Sequence, residues 1–212
     1  MTLLDLTLNG NLNDQSGNVH DAYPVAGDVA YSTGVHGESE GSFTFDHTAY
    51  LNIKNSSDFS FEITDAFSIV CDVYFDATAG VDMIISKTDN AANPGFMIWK
   101  SGSAVLHFYI IADAAVTITS VSTFAATKWY KIECTYDGTS NRDGMKIYID
   151  GILDVTGTAS AMTGSMKNTF DVTLGAESDG SNKHLGRIAN MIVEKYEMSQ
   201  AEINYRFHQG GL

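Results

Sequence analysis

The stretch of sequence that decides the fold runs Trp129-Tyr-Lys-Ile-Glu-Cys-Thr-Tyr-Asp-Gly138 and resumes, after a short connection, as Met145-Lys-Ile-Tyr-Ile-Asp-Gly151. In both runs apolar and polar side chains alternate, which is typical of a β-strand with one buried face. Both runs end in Asp-Gly, a pair that favours tight hairpin turns. The two runs therefore predict consecutive antiparallel strands, and in the first of them Tyr130, Ile132 and Cys134 share one face with Tyr136.

Similar short runs recur along the chain, separated by turn residues. They are Ser42–Phe45, Tyr50–Ile53, Phe67–Phe75, Met83–Ser86, Gly95–Lys100, Val105–Ile111, Phe170–Leu174 and Leu185–Val193. The one strong helix signal is near the end, where Ser199 and Glu202 form a capping box. No linker or change of composition divides the sequence. We therefore expect a single domain over residues 1–212, an all-β, two-sheet antiparallel β-sandwich with one short C-terminal helix.

The chain is strongly acidic, with 212 residues, 26 Asp and Glu, 12 Lys and Arg, and a formal net charge of -14. This balance argues against nucleic acid as a partner, because phosphate binding needs clustered cations. It argues equally against anionic membrane surfaces. Hydrophobic residues make up 44% of the chain, enough for a large core. The longest apolar runs are only strand-sized, so we expect no membrane insertion.

The opening residues 1–6 lack the basic and apolar regions of a secretory signal peptide. We therefore expect synthesis in a cytoplasm without a cleaved leader, and a location on a virion or an extracellular surface, with a cytoplasmic location as the alternative. Cys71 and Cys134 are too few for a disulfide framework. Because both lie in strand-like runs, the first interpretation is two buried free thiols, and the alternative is one bridge between neighbouring strands.

Several segments, taken in order, resemble one known family. They are Leu8–Asn18, Gly34–Asp46, Phe67–Cys71, the two runs quoted above and Leu185–Val193. Their order and spacing resemble the laminin-G-like domains of the concanavalin A-like lectin/glucanase family. The resemblance implies a concanavalin A-like jelly roll, in which two antiparallel sheets pack face to face. It does not imply one function, because a single fold hosts many.

The second face of the predicted strands carries aromatic side chains beside polar ones. The candidates for carbohydrate binding are Asp72, Tyr74, Trp99, His107, Tyr109 and Tyr148, accompanied by Lys131, Glu133 and Lys146. Aromatic rings stack on sugar rings, while charged and imidazole groups hydrogen-bond sugar hydroxyls. These side chains therefore predict a glycan site on a sheet face. An ordinary solvated face or a protein contact surface is the alternative, and loops at the rim of the sandwich are a further candidate for a sugar site.

The loop from Asn9 to Asn18 is dense in side-chain oxygens, which suits Ca²⁺ because this cation takes oxygen ligands. The family resemblance implies a calcium between this loop and acids of the last strand, where this sequence has Ala189 and Asn190. The metal-ligand candidates are Asn11, Asp14, Asn18 and Asn190. The alternative is that these side chains satisfy turn backbone. Calcium is the one cofactor that the sequence suggests.

Three motifs bear on catalysis. The family resemblance implies that β-glucan hydrolases of this fold carry a Glu-x-Asp-x-(x)-Glu strand with paired carboxylates, and this chain has no such run. Glu62–Asp65 and Glu194–Glu197 have different spacings. Gly37–Gly41 matches Gly-x-Ser-x-Gly but lies in a predicted hairpin region, whereas a nucleophile elbow needs a strand–helix turn. We therefore expect no catalytic residues and no enzyme activity.

Together these observations predict a non-catalytic, surface-displayed jelly-roll module. The first hypothesis is a phage virion structural protein, as a capsid decoration, fibre or tail-associated protein that acts in particle-surface contacts or glycan adhesion. The alternative is a carbohydrate-binding or lectin module of a bacterial surface or secreted protein. The expected partners are a glycan or other virion or surface proteins, and a homo-oligomer is a further candidate.

Overall fold

The computed structural model of the protein describes residues 1–28, 30–89 and 93–210. Its strands are β1 (Thr2–Leu6), β2 (Ala22–Ala26), β3 (Tyr31–Ser32), β4 (Ser42–Asp46), β5 (Tyr50–Ile53), β6 (Phe67–Phe75), β7 (Asp82–Ser86), β8 (Gly95–Lys100), β9 (Val105–Ile111), β10 (Ala115–Thr123), β11 (Trp129–Tyr136), β12 (Met145–Ile149), β13 (Ile152–Thr156), β14 (Val172–Leu174) and β15 (Leu185–Glu194). Within the described ranges one α-helix, α1 (Gln200–Gly210), follows the last strand.

The strands form two antiparallel sheets. Sheet I has the order β13-β12-β11-β6-β15-β4-β3, with β1 also paired to β15, and sheet II has the order β10-β9-β8-β7-β14-β5-β2. The inward-facing side chains of both sheets form a shared hydrophobic core. The prediction of an all-β, two-sheet antiparallel sandwich with a C-terminal helix is confirmed. The strands that the sequence analysis did not predict are β1, β2, β3, β10 and β13.

The two runs quoted first form β11 and β12, which are neighbours in sheet I with Cys134 opposite Ile147. The turn from β12 to β13 consists of Asp150 and Gly151, whose φ angles are 52° and 76°. Two successive positive φ angles are the geometry of a type I′ hairpin turn, which favours Asp-Gly. Cys134 and its neighbour on β6, Cys71, are buried free thiols, as the first interpretation predicted.

Helix α1 packs on the outer face of sheet I. At its start the predicted capping box is present, because the N–H and the hydroxyl of Ser199 both donate to Glu202 Oε2 at 2.8 Å. Further along, Ile203 is fully buried in an apolar cluster with Val70 and Tyr148. The helix therefore covers part of this face. No helix in the described ranges has both the length and the hydropathy needed to cross a lipid bilayer.

A buried polar cluster lies where the inner faces of the two sheets meet. Lys100 Nζ is 2.8 Å from Asp82 Oδ2 and donates to the Thr78 carbonyl at 2.9 Å. His184 Nδ1 is 3.6 Å from Asp82 Oδ1, and the imidazole packs edge-on against Phe75. Burial lowers the pKa of His184 to about 4, although the Asp82 carboxylate acts in the opposite direction. The imidazole is therefore neutral at neutral pH.

The buried neutral imidazole predicts that the protein loses stability in mild acid. The ordinary pKa of 6.5 applies to His184 in the unfolded chain, so between pH 6.5 and 4 only the unfolded state binds the proton. The stability that this group contributes is complete above pH 6.5 and falls by about 3 kcal/mol as the pH approaches 4. Urea unfolding of the wild type and His184→Gln across this range measures the difference in pH dependence.

The exposed His36 provides the control, and His36→Gln should keep the pH dependence of the wild type. Comparing the variants with the wild type cancels the contribution of all titrating groups other than His184 and His36, because those groups are unchanged. Identical pH profiles for the wild type and His184→Gln would contradict the prediction.

Candidate functional site

The six predicted carbohydrate-binding residues do not share one face. Asp72, Tyr74 and Tyr148 lie on the outer face of sheet I, in β6 and β12. Trp99, His107 and Tyr109 lie on the outer face of sheet II, in β8 and β9. The prediction of a single shared face is therefore wrong. Alternation along a strand indicates which side chains point away from the core, but it does not indicate which sheet the strand joins.

On sheet I, two of the three predicted residues are buried. Tyr148 is 4% exposed because helix α1 lies over it. Asp72 is 1% exposed, and its Oδ1 lies 2.7 Å from Lys131 Nζ. Neither side chain presents a surface on which a sugar ring could stack.

The Tyr74 ring is half-buried, and it lies at the end of sheet I that helix α1 does not cover. Its ring centroid is 5.5 Å from that of Trp129 on β11. The Arg187 guanidinium on β15 lies over the same ring at 4.1 Å. The sequence analysis did not single out Trp129 or Arg187 as site residues. The outward position of Trp129 in the alternating β11 run was the signal that could have identified it.

On sheet II, three ring side chains lie side by side on β8 and β9, and we call Trp99, His107 and Tyr109 the aromatic patch. Trp99 pairs with His107 across the strands, and their rings stack with centroids 4.2 Å apart and 13° between planes. Tyr109 lies 6.1 Å from Trp99 and 6.3 Å from His107. All three side chains are half-buried, so each is held in place while part of its ring meets solvent.

Buried apolar side chains pack against the aromatic patch on the same face of sheet II. Met83, Met97 and Ile111 form a small buried cluster, and Trp99 and Tyr109 pack against it. Methionine makes favourable contacts with aromatic rings and fills irregular gaps. This packing holds the rings of Trp99 and Tyr109 in place, so the patch is a preformed apolar surface.

Two threonines of the neighbouring strand β10 lie beside the rings of the patch. The Thr119 hydroxyl lies 3.0 Å from His107 Nδ1, and Thr117 is directly opposite Tyr109 on β10. Burial lowers the pKa of His107, so its imidazole is neutral at neutral pH. A neutral imidazole and hydroxyl groups both donate and accept hydrogen bonds. The patch can therefore recognise an uncharged, hydroxyl-bearing ligand.

Asp14, the one acid among the predicted calcium ligands, uses both carboxylate oxygens within the fold. Oδ1 accepts hydrogen bonds from the backbone N–H groups of Asp5 at 3.0 Å and Ser16 at 2.9 Å. Oδ2 accepts one from the N–H of His20 at 3.0 Å. Burial raises the pKa of Asp14, but the hydrogen bonds from His20 and Ser16 outweigh it, so the pKa lies below its ordinary value. This carboxylate organises the loop backbone.

The other predicted calcium ligands are also engaged elsewhere. Asn11 Oδ1 accepts a hydrogen bond from the backbone N–H of Asn13. Asn18 Nδ2 donates to the Leu3 carbonyl, and Asn190 Nδ2 donates to Asp72 Oδ2 at 2.6 Å. Over residues 1–28, 30–89 and 93–210, no group of three or more His, Cys, Asp or Glu could hold a metal ion. Calcium binding stays a prediction, and the turn-forming alternative accounts for the hydrogen bonds of the loop.

The motifs considered for catalysis lie in structural positions. Gly37–Gly41 forms part of the turn between β3 and β4, whereas a nucleophile elbow requires a strand–helix junction. Glu194 is 1% exposed and pairs with Arg206 at 2.5 Å. Glu197 pairs with Lys146 at 2.5 Å. The contacts of both acids are structural ion pairs.

The Asp14 hydrogen bonds predict a large loss of stability on truncation. Asp14→Ala removes the acceptor of three backbone N–H groups, so we expect the free energy of unfolding to fall by about 2–3 kcal/mol, equally in calcium and in EDTA. Urea unfolding in both solutions measures this. Asn13→Ala, at the exposed neighbouring position, is the control and should stay within about 0.5 kcal/mol of the wild type. A calcium-dependent stabilisation that Asp14→Ala abolishes would contradict a purely structural role.

Three solved structures similar to this chain share its fold. The binding domain of Paraclostridial Mosquitocidal Protein 1 has a TM-score of 0.76 at 14% identity, covering 99% of this chain and 52% of that chain. The botulinum neurotoxin serotype G binding domain has a TM-score of 0.75 at 18% identity, covering 99% and 51%. The chain therefore spans about half the length of these toxin domains.

The third similar structure matches this chain over nearly the full length of both. It is domain 4 of AbnA, a GH43 extracellular arabinanase from Geobacillus stearothermophilus, in complex with arabinotriose. Its TM-score is 0.72 at 13% identity, and the match covers 96% of this chain and 97% of that chain. No match is found among curated proteins.

A family model also matches the sequence directly. The model is described as the concanavalin A-like lectin/glucanases superfamily, and it matches residues 45–204, which is most of the chain. The matched range includes both strands of the aromatic patch and the strands β11 and β12. The chain belongs to the concanavalin A-like lectin/glucanase superfamily.

Proposed function

We propose that the chain is a non-catalytic module that binds a neutral oligosaccharide on the aromatic patch of sheet II. The observation that carries this proposal is the arrangement of Trp99, His107 and Tyr109 on adjacent strands, with Trp99 and Tyr109 packed against a buried apolar cluster. Carbohydrate sites combine an apolar surface, on which the C–H face of a sugar ring packs, with a few polar groups that fix its hydroxyls. The patch has both components.

The charge of the protein favours an uncharged ligand. The formal net charge of the chain is -14, which repels glycans that carry carboxylate or sulfate groups. His107 is neutral at neutral pH because burial lowers its pKa, so the patch itself offers no cation to offset this repulsion. Hydroxyl-rich, neutral sugars meet no such penalty.

The similar structures support a binding role. The AbnA domain, which matches this chain over nearly its full length, was solved with arabinotriose, and the two toxin domains are described as binding domains. The aromatic patch contains no Asp or Glu, whereas most glycosidases need a pair of carboxylates beside the bond they cleave. We infer a binding surface, not a hydrolytic one.

The location of the protein is a separate question. The aromatic patch suits a virion component and a bacterial surface or secreted protein equally well, so the phage-particle role, contacts with other surface proteins and homo-oligomers stay predictions. Glycan adhesion is the part of that hypothesis that the patch supports.

The two tryptophans of the chain allow a matched test of this site. Trp99 lies in the patch, while Trp129 is an equally half-buried tryptophan on the opposite sheet. We expect Trp99→Ala to weaken glycan binding at least about fivefold, because truncating a central aromatic contact typically costs more than about 1 kcal/mol. Trp129→Ala should leave the affinity unchanged. A glycan array that includes arabinotriose identifies the ligand, and calorimetry then measures the affinities.

Two results would overturn the proposal. The first is no binding by the wild type to a broad panel of neutral glycans. The second is loss of binding in Trp129→Ala with retention in Trp99→Ala, which would place the site on sheet I beside Tyr74. Tyr109→Ala provides a second patch variant, so a folding defect in Trp99→Ala alone would not decide the outcome.

A further inference from the structure

Lys131 and Asp72 form a buried pair in the centre of sheet I. They are directly opposite each other on the adjacent strands β11 and β6, and both point away from the core. Lys131 Nζ lies 2.7 Å from Asp72 Oδ1, and the two side chains are only 7% and 2% exposed. A lysine amine and a carboxyl group are thus held in contact, largely shielded from water.

The contacts of Lys131 differ from those of the other buried lysine–aspartate pair. Lys100 Nζ approaches Asp82 and also donates to the carbonyls of Thr78 and Gly80, as a buried ammonium group requires. Among the described residues, Lys131 Nζ has only its contact with Asp72. Asp72 Oδ1 receives no aligned hydrogen bond despite that contact.

Glu133 lies beside this pair, two residues further along β11 on the same face. It is 0% exposed, and in the described part of the chain neither carboxyl oxygen has a hydrogen-bond partner of good geometry, although the Gly151 backbone N–H acts to lower its pKa. Burial raises the pKa of Glu133 to about 8, with Lys131 lowering and Asp72 raising it. The group is therefore a protonated carboxylic acid at neutral pH, able to donate a proton.

Stability alone does not explain this arrangement. A buried ion pair is weak evidence for stabilisation, because desolvating two charges offsets much of their attraction. A buried carboxyl group without a partner is a further penalty. The same three groups are, however, what the condensation of an amine with a carboxylic acid needs: contact between the reacting atoms, exclusion of water and a nearby acid.

We propose that Lys131 and Asp72 condense to form an amide bond that joins β11 to β6, and that Glu133 relays the protons once its carboxyl group turns toward the pair. In this step the Nζ–Cγ bond forms and the Cγ–Oδ1 bond breaks. Two protons of the Lys131 ammonium group end on Oδ1, and one water molecule leaves. Glu133 gives a proton to the departing oxygen and recovers one from the nitrogen. The step involves no oxidation or reduction.

Two further features suit this reaction. Asn190 Nδ2 donates to Asp72 Oδ2 at 2.6 Å, in position to stabilise the charge that develops on this oxygen when the amine attacks. A groove of about 260 Å³ between helix α1 and sheet I is lined by Lys131 and Asn190. The groove gives the released water a path to solvent.

Mass spectrometry of the intact, denatured wild-type chain tests the proposal. We expect a mass lower than that of the sequence by one water molecule. Tandem spectra of a digest should contain a branched peptide that links Lys131 to Asp72. The peptides with Lys100 and Asp82 are an internal control in the same digest and should be unlinked. Glu133→Gln, which keeps the shape but cannot act as the acid, should shift most of the folded protein to the uncondensed mass.

Each outcome decides one part of the proposal. An uncondensed wild-type chain after prolonged incubation in the folded state would overturn the bond itself. A link at Lys100 and Asp82 in place of the expected one would overturn the argument from hydrogen-bond geometry. Complete condensation in Glu133→Gln would overturn the role of Glu133. If that variant does not fold, the wild-type mass and the branched peptide still decide whether the bond exists.

Discussion

The packing of Phe67 between the two sheets is the contact on which the rest of the structure depends. Its ring stacks on Phe61 with centroids 4.6 Å apart and reaches sheet II, where Phe96 is 5.7 Å and Phe108 is 6.1 Å away. On the neighbouring strand, Tyr136 is 5.8 Å away. Because side chains alternate along a strand, anchoring β6 in this register also determines which residues of sheet I point outward. The positions of the groups on the outer face of sheet I therefore depend on this core packing.

The sequence predicted correctly the turn and the helix cap, which depend only on residues adjacent in the chain. The Asp150-Gly151 turn and the Ser199–Glu202 capping box need only a few adjacent residues, and both are present. The strands β10 and β13 were missed because they are the edge strands of their sheets. An edge strand buries few side chains, so its apolar alternation is weak, and strand propensity is sensitive to such context.

The candidate site could be predicted only in part, because it depends on contacts between distant residues. The sequence indicated that Tyr74 and Trp99 point outward, but long-range pairing places them on opposite sheets. Tyr148 also points outward, yet helix α1, far along the chain, covers it. The oxygens of Asp14 looked like metal ligands, and only the folded loop brings the N–H groups of Asp5 and His20 to them.

Both ends of the described chain lie on the same side of the sandwich. The strand β1 pairs with β15 in sheet I, the Met1 amino group is 3.9 Å from Glu194, and helix α1 lies across the outer face of that sheet. A tether attached at either end therefore holds the protein by sheet I and leaves sheet II turned toward the surroundings. An array of such copies would present every aromatic patch in the same direction, and if the patch binds a glycan as proposed, weak single contacts would then add through avidity.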